Sequence, residues 1–368
     1  MLRIICMVLI IAHHYAVHGA FVFTELTPFV NKMIVVFFKL GGKLGVNLFV
    51  LISGYFMVRS SVTFRKLLRL WLQILFYSVT ISAALFMHNP ASFSLKNFVL
   101  SFFPVSQSIY WFATTYLILM VFSPLLNRMI FTMEQKTHFF SLLVLFGLTV
   151  IIQIAVGQAP GYSLLLWFVF LYLLAAYIRL YPIRYFDTWK NFLIAAAAYC
   201  LVFFGQITLG LLPKKGFILS RITDIFSYES NGLLLFVCSV TLFLAFMRLK
   251  PHYNRGVNLL ARSMFGVYLI HDSIIVRPVL WKQIFPNNDY VDSPYLIFHA
   301  LAKTAVVLIA CTLIDQARMW LLEKPFFKLI DQNAAALRRL GNWAARKLDR
   351  FYSFFCQPKP NRAAADDR

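Results

Sequence analysis

Ten runs of apolar residues, each about as long as a bilayer is thick, decide what this chain can fold into. They fall at about residues 2–23, 42–58, 70–87, 109–127, 138–157, 162–181, 191–212, 232–249, 262–281 and 295–317. A spanning helix needs ~20 apolar residues, because the hydrocarbon core is ~30 Å thick and each helical residue advances ~1.5 Å. The expectation is an all-α integral membrane protein with about ten transmembrane helices. Composition agrees: 60% of residues are hydrophobic and 13% charged, against roughly half and a quarter in soluble domains. These values exclude a soluble globular domain, a disordered chain and a small disulfide scaffold. Cys6, Cys200, Cys238, Cys311 and Cys356 are scattered, with neither disulfide-framework nor metal-ligand spacing, so no metal is expected.

Two runs carry polar interruptions. His13 and His14 sit inside the first, which therefore reads as a retained helix rather than a cleaved leader. Arg262, His271, Asp272 and Arg277 interrupt the ninth.

The net charge of +21 would suggest nucleic acid in a soluble protein. In a membrane protein, positive-inside bias and anionic lipid account for it. With the N-terminus inside, the cytoplasmic segments before Arg318 hold 14 Lys and Arg, and the opposite side holds nine, among them Lys32, Lys39, Lys43, Arg277 and Lys282. Residues from Arg318 onward add 11 more to the inside. Both termini are thus expected in the cytoplasm. Residues 1–330 form the transmembrane domain. In 331–368, Leu337, Leu340, Ala344, Leu348, Phe351 and Phe355 recur at three- and four-residue intervals among basic residues. That stripe predicts a basic amphipathic helix on the cytoplasmic membrane face, followed by a disordered tail.

A polar side chain inside a span is costly and therefore a functional candidate. Arg3 and His14 are eleven residues apart and share a helical face; ~16 Å of axis separates them, with Arg3 at the cytoplasmic surface and His14 near the bilayer centre. His13 projects ~100° away. A neutral imidazole at that depth can accept a proton from a hydroxyl, although a packing histidine bonded to a neighbouring helix fits the same pattern. Arg65 and Arg69 lie at i, i+4, where paired guanidiniums suit phosphate groups as well as topology. In the ninth run, Tyr268 and His271 are neighbours three residues apart, and Asp272 cannot pair face-on with adjacent His271. Glu323 follows the tenth run. Glycine-rich phosphate loops, His-Glu-x-x-His and Cys-x-x-Cys do not occur; Gly41-Gly42-Lys43-Leu44-Gly45, read as an outer segment, has the wrong spacing, and Ser53-Gly54 lacks the upstream glycine of a nucleophile elbow.

Six motifs in order over residues 2–326 resemble the membrane-bound acyltransferase-3 family, polysaccharide O-acetyltransferase type. They are Arg3 through His13-His14-Tyr15; Gly45-Val46-Asn47-Leu48-Phe49-Val50-Leu51-Ile52-Ser53-Gly54-Tyr55-Phe56; Arg65 to Arg69; Tyr110-Trp111-Phe112 with Phe122-Ser123-Pro124-Leu125-Leu126; Ser263-Met264-Phe265-Gly266-Val267-Tyr268-Leu269-Ile270-His271; and Glu323-Lys324-Pro325-Phe326. The resemblance implies a multi-pass protein of the cytoplasmic membrane. It would transfer an acyl group, most often acetyl, from cytoplasmic acyl-CoA to a hydroxyl of a cell-envelope or capsular polysaccharide or its lipid-linked precursor. Arg3, Arg65 and Arg69 would hold the CoA phosphates. His14 would act either as general base or as the first acyl acceptor, and Tyr268 and His271 would support it or stabilise an oxyanion. Glu323 would orient a basic residue or be structural. Other acyl groups, a glycolipid or small-molecule acceptor, and a glycan transporter or flippase are the competing expectations. The acetyl-CoA donor, the glycan and the lipid bilayer are the expected partners, and nucleic acid is not.

Overall fold

The computed structural model describes residues 1–60, 62–88, 94–156, 163–181, 188–212, 217–250, 252–333 and 347. Among them every regular element is helical. The first eight helices are α1 (Leu2–His18), α2 (Phe29–Met57), α3 (Phe64–His88), α4 (Leu95–Leu100), α5 (Trp111–Thr132), α6 (Gln135–Phe146), α7 (Ile152–Val156) and α8 (Leu164–Leu180). Then come α9 (Thr188–Leu211), α10 (Phe217–Ile225), α11 (Leu233–Arg248), α12 (Arg255–His271), α13 (Val276–Pro278), α14 (Leu296–Arg318) and α15 (Lys324–Gln332). The chain divides into two compact units, Met1–Thr312 and Leu313–Arg368. The expected amphipathic tail helix lies outside the described residues.

Among the described residues, six helices are long and apolar enough to cross a membrane: Phe29–Met57, Phe64–Met87, Trp111–Thr132, Gln135–Val156, Thr188–Leu211 and Leu296–Gln332. Three more apolar helices, α1, α8 and α11, have only 16 or 17 residues. At ~1.5 Å per residue they reach ~26 Å, short of the ~30 Å hydrocarbon core. Trp167, Phe168, Phe170, Leu171 and Tyr172 of α8 are all buried, as expected of a helix apolar on every side.

Two expectations are corrected. The second span does not begin at residue 42: α2 starts at Phe29 and takes Lys32, Lys39, Lys43 and the glycine run into the helix. Lys39 lies over the Tyr228 ring at 4.5 Å, and Lys43 over Trp111 at 4.8 Å, so aromatic faces hold charges that read as an outer loop. The ninth span is not one straight helix. Arg255–His271 and Val276–Ile284 meet at 87°, and the break turns Asp272 and Ser273 into the protein interior. Unwound backbone is tolerated at membrane depth where protein surrounds it.

α1 packs most extensively on α2. Gly41 and Gly45, four apart on α2, let the backbones approach: a Cβ on Gly41 would meet Leu9 at 3.2 Å and one on Gly45 the Cys6 carbonyl at 2.7 Å. Polar side chains tie α2 to α8 and α11. Trp167 Nε1 donates to Asn47 Oδ1 (2.9 Å), and Asn47 Nδ2 donates to the Ser230 carbonyl (2.7 Å) and to Ser239 Oγ (3.2 Å). In α5, Pro124 removes the amide that Met120 O would accept, and Ser123 Oγ donates to that carbonyl at 2.8 Å instead.

Candidate active site

α1 and α12 bring their polar residues together at their C-terminal ends. His14 is four residues from the end of α1, His271 is the last residue of α12, and Asp272 caps it. His271 and Asp272 are fully buried and His14 is 8% exposed. His271 Nδ1 donates to the Val267 carbonyl at 2.6 Å, one turn back in its own helix. His271 Nε2 lies 2.9 Å from His14 Nδ1, and His14 Nε2 lies 3.2 Å from Asp272 Oδ1. Arg277, just past the break, closes the chain from the other side: its Nε and Nη2 donate to the same carboxylate oxygen at 2.8 and 2.7 Å.

The protons in this array can be counted. A carbonyl oxygen only accepts, and so does an ionised carboxylate. Two neutral imidazoles bring two N–H groups to three contacts: Val267–His271, His271–His14 and His14–Asp272. The array is therefore one proton short when both histidines are neutral. A third proton, taken up at His14, fills every contact at once.

The other sequence candidates separate into two groups. Tyr268 stands beside the histidines, its ring 6.4 Å from that of His271 and perpendicular to it. Its hydroxyl is buried with Asp272 and the Phe112 backbone as its polar neighbours, and its other ring neighbours are Phe112, Tyr110 and Phe265. Arg3, Arg65 and Arg69 are elsewhere. Arg3 is exposed at the first turn of α1, ~16 Å along the axis from His14, with its guanidinium 5.9 Å from the Phe49 ring. Arg65 and Arg69 are exposed in the opening turns of α3. The late residues of α3, Ser78 and Ser82, line one cavity with Ser273, so α3 runs in the same direction as α1 and α12. The three arginines thus mark one end of the bundle and the histidines lie toward the other. No acidic residue occupies the first turn of α3; three cations, Arg65, Lys66 and Arg69, crowd the end of a helix whose dipole favours anions.

His13 points away, donating to the Lys39 carbonyl. Glu323 accepts from Arg318 Nη1 at 2.8 Å, and Arg318 Nε also donates to Asp315 at 2.9 Å. This triad is internal to the second unit.

Three residues escaped sequence reasoning. His18 is one turn beyond His14, with ring centroids 5.2 Å apart, and the i, i+4 spacing was the available signal. Asp272 was placed correctly as unable to face His271, but its partner is His14 from the far end of the chain. Arg277 was read as an interruption of the ninth run and as an outer charge, not as a partner of Asp272. His14, His18 and Asp272 have ligand atoms within 4.8 Å of one another, and among the described residues this is the group that could hold a metal ion.

A family model described as an acyltransferase domain matches residues 1–315. No curated protein and no solved structure matches the chain.

Proposed function

The chain belongs to the acyltransferase-3 family and is a multi-pass membrane acyltransferase, and we propose that it transfers an acetyl group from cytoplasmic acyl-CoA to a hydroxyl of a cell-envelope or capsular glycan or its lipid-linked precursor. In this reading both termini are cytoplasmic, the membrane is the cell membrane, and the three short helices and the bent α12 pair are crossings too, which makes ten. Other acyl groups and glycolipid acceptors are variants of the same chemistry.

The proton-deficient array around His14 carries the proposal. A hydroxyl attacks a thioester only as it loses its proton. His14 Nε2 receives that proton, the new C–O bond forms as the C–S bond breaks, and CoA leaves as the thiolate. The proton arrives beside Asp272, whose carboxylate stabilises the imidazolium, while His271 fixes the ring through Nδ1. Acyl transfer through His14 itself would use the same lone pair. Arg3, Arg65 and Arg69 supply the phosphate contacts at the other end of the bundle. CoA is polyanionic at one end and thin at the other, so its arm suits the path from those cations to the histidine. Tyr268, beside the histidines, is the group assigned to donate to the oxyanion as it forms.

Purified protein carrying His14→Ala should lose acyl transfer by ~10²-fold or more while still binding CoA. Undiminished turnover would overturn the assignment. Mass spectrometry of the envelope glycan with and without the protein names the acceptor through a missing acyl mass.

A further inference from the structure

A cavity of about 400 Å³ opens on the far side of the α12 break, between α3, α4, the segment before α5 and the break itself. This volume lies within the ~300–1,000 Å³ range of small-molecule sites. Its floor is made by Ser78, Ser82, Tyr110 and Ser273, all at most 3% exposed. Exposed Asn97 and Gln107 form its rim. Among the described residues, every polar side chain in the lining is a hydroxyl or an amide, and none is ionised.

Such a lining is expensive in a membrane protein, because each buried hydroxyl forfeits water. Ser78 and Ser82 share a face of α3 one turn apart. Ser78 Oγ gives its proton to the Ser101 carbonyl at 2.8 Å, which leaves its lone pairs to accept. The Tyr110 hydroxyl is buried with Ser273 as its side-chain neighbour, and the two hydroxyls together keep hydrogen-bonding capacity for a ligand. Leu100, Ile109 and Ile274 supply apolar walls between these groups. Ser273 directly follows Asp272, so the cavity abuts the proton-accepting array.

We propose that this cavity is the acceptor subsite and that it takes a neutral sugar residue. Hydroxyls that both donate and accept match serine, tyrosine and amide side chains, and the C–H faces of a pyranose match the isoleucines and leucine. A carboxylate or phosphate substituent would enter without a cation to meet it. The assignment rests on reading the protein as a glycan acyltransferase, but its test does not depend on turnover.

Saturation-transfer NMR on the full-length protein in detergent supplies that test, with methyl glucoside, methyl galactoside, methyl N-acetylglucosaminide and methyl glucuronide as probes. At least one neutral glycoside should bind, and the glucuronide should bind at least ~10-fold more weakly. Tyr110→Phe and Ser82→Val should each weaken the neutral glycoside ~5-fold or more, with a monodisperse gel-filtration profile identifying folded variants. Absence of neutral-glycoside binding, equal binding of the glucuronide, or wild-type binding by both folded variants overturns the subsite. The wild-type comparison decides even where a variant does not fold. His14→Ala should still bind the neutral glycoside. If His14→Ala kept full transfer, the catalytic reading would fail, and the subsite would still be judged by glycoside binding alone.

Discussion

His14 Nε2 lies 3.2 Å from Asp272 Oδ1, and Arg277 grips that same oxygen from the opposite side at 2.7 Å. One carboxylate oxygen therefore stands between a permanent cation and a proton acceptor. Asp272→Asn should lower transfer by ~10²-fold, because the imidazolium formed at His14 loses its counter-charge. It should also destabilise the fold, since Arg277 is left without its partner. The cost should fall below the ~3–5 kcal/mol of a broken buried pair, as 24% of the Arg277 side chain remains exposed. The double variant Asp272→Asn/Arg277→Gln should recover melting temperature but not turnover. Recovery of both would make the pair purely structural.

In the proposed mechanism His271 acts on the substrate only through His14, 2.9 Å away. His271→Ala removes the acceptor for His14 Nδ1–H, whereas His271→Gln offers a side-chain carbonyl in its place. The alanine variant should lose about tenfold in kcat with KM for acyl-CoA unchanged, and the glutamine variant should regain most of it. Equal losses in the two variants would rule out the positioning role.

His14, His18 and Asp272 present two imidazoles and a carboxylate to one point, a donor set that suits Zn²⁺. The His14 lone pair cannot serve a metal and a proton together. Added Zn²⁺ should inhibit transfer competitively with protonation, deepening as pH rises because the ligands must be deprotonated. His18→Ala should relieve the inhibition by about tenfold or more. If it left inhibition untouched, the metal would be acting elsewhere.

The reach of the sequence can be read from these residues. Arg3 and His14 were legible because both lie on one helix, where spacing alone fixes face and distance. The break in the ninth span was signalled by His271, Asp272 and Arg277, which no lipid-facing helix accommodates. The angle was not, nor was the pairing of Asp272 with His14, because contacts across some 250 residues leave no periodic trace. The start of α2 was misplaced for a different reason. Lys39 and Lys43 carry loop-like charge, yet Tyr228 and Trp111 accept them at 4.5 and 4.8 Å, and those aromatics come from distant segments.

The cations at the opening turns of α3 should respond to salt. Arg65→Ala with Arg69→Ala should weaken CoA binding, and the loss should shrink as ionic strength rises and the wild-type attraction is screened. Binding measured from 0.05 to 0.5 M salt checks this. Unchanged affinity at low salt would return both arginines to a purely topological role.

The approach of α1 to α2 makes the final prediction. Gly42 lies against the His13 ring so closely that a Cβ would overlap it, and the contacted ring atoms are near the backbone, where little movement is available. Gly42→Ala should therefore destabilise the protein by about 1–3 kcal/mol from overpacking, offset by up to ~1 kcal/mol from the better helix propensity of alanine. The clash should win. It should also displace His13 from the Lys39 carbonyl and shift its neighbour His14, so kcat should fall with stability. His13→Ala in the same chain removes the ring that is struck. The double variant should regain most of the stability and activity lost by Gly42→Ala, giving a coupling energy of ~1 kcal/mol or more in a thermal-unfolding cycle. Simple additivity of the two substitutions would mean that α1 and α2 yield at this contact, and that the position of His14 does not depend on it.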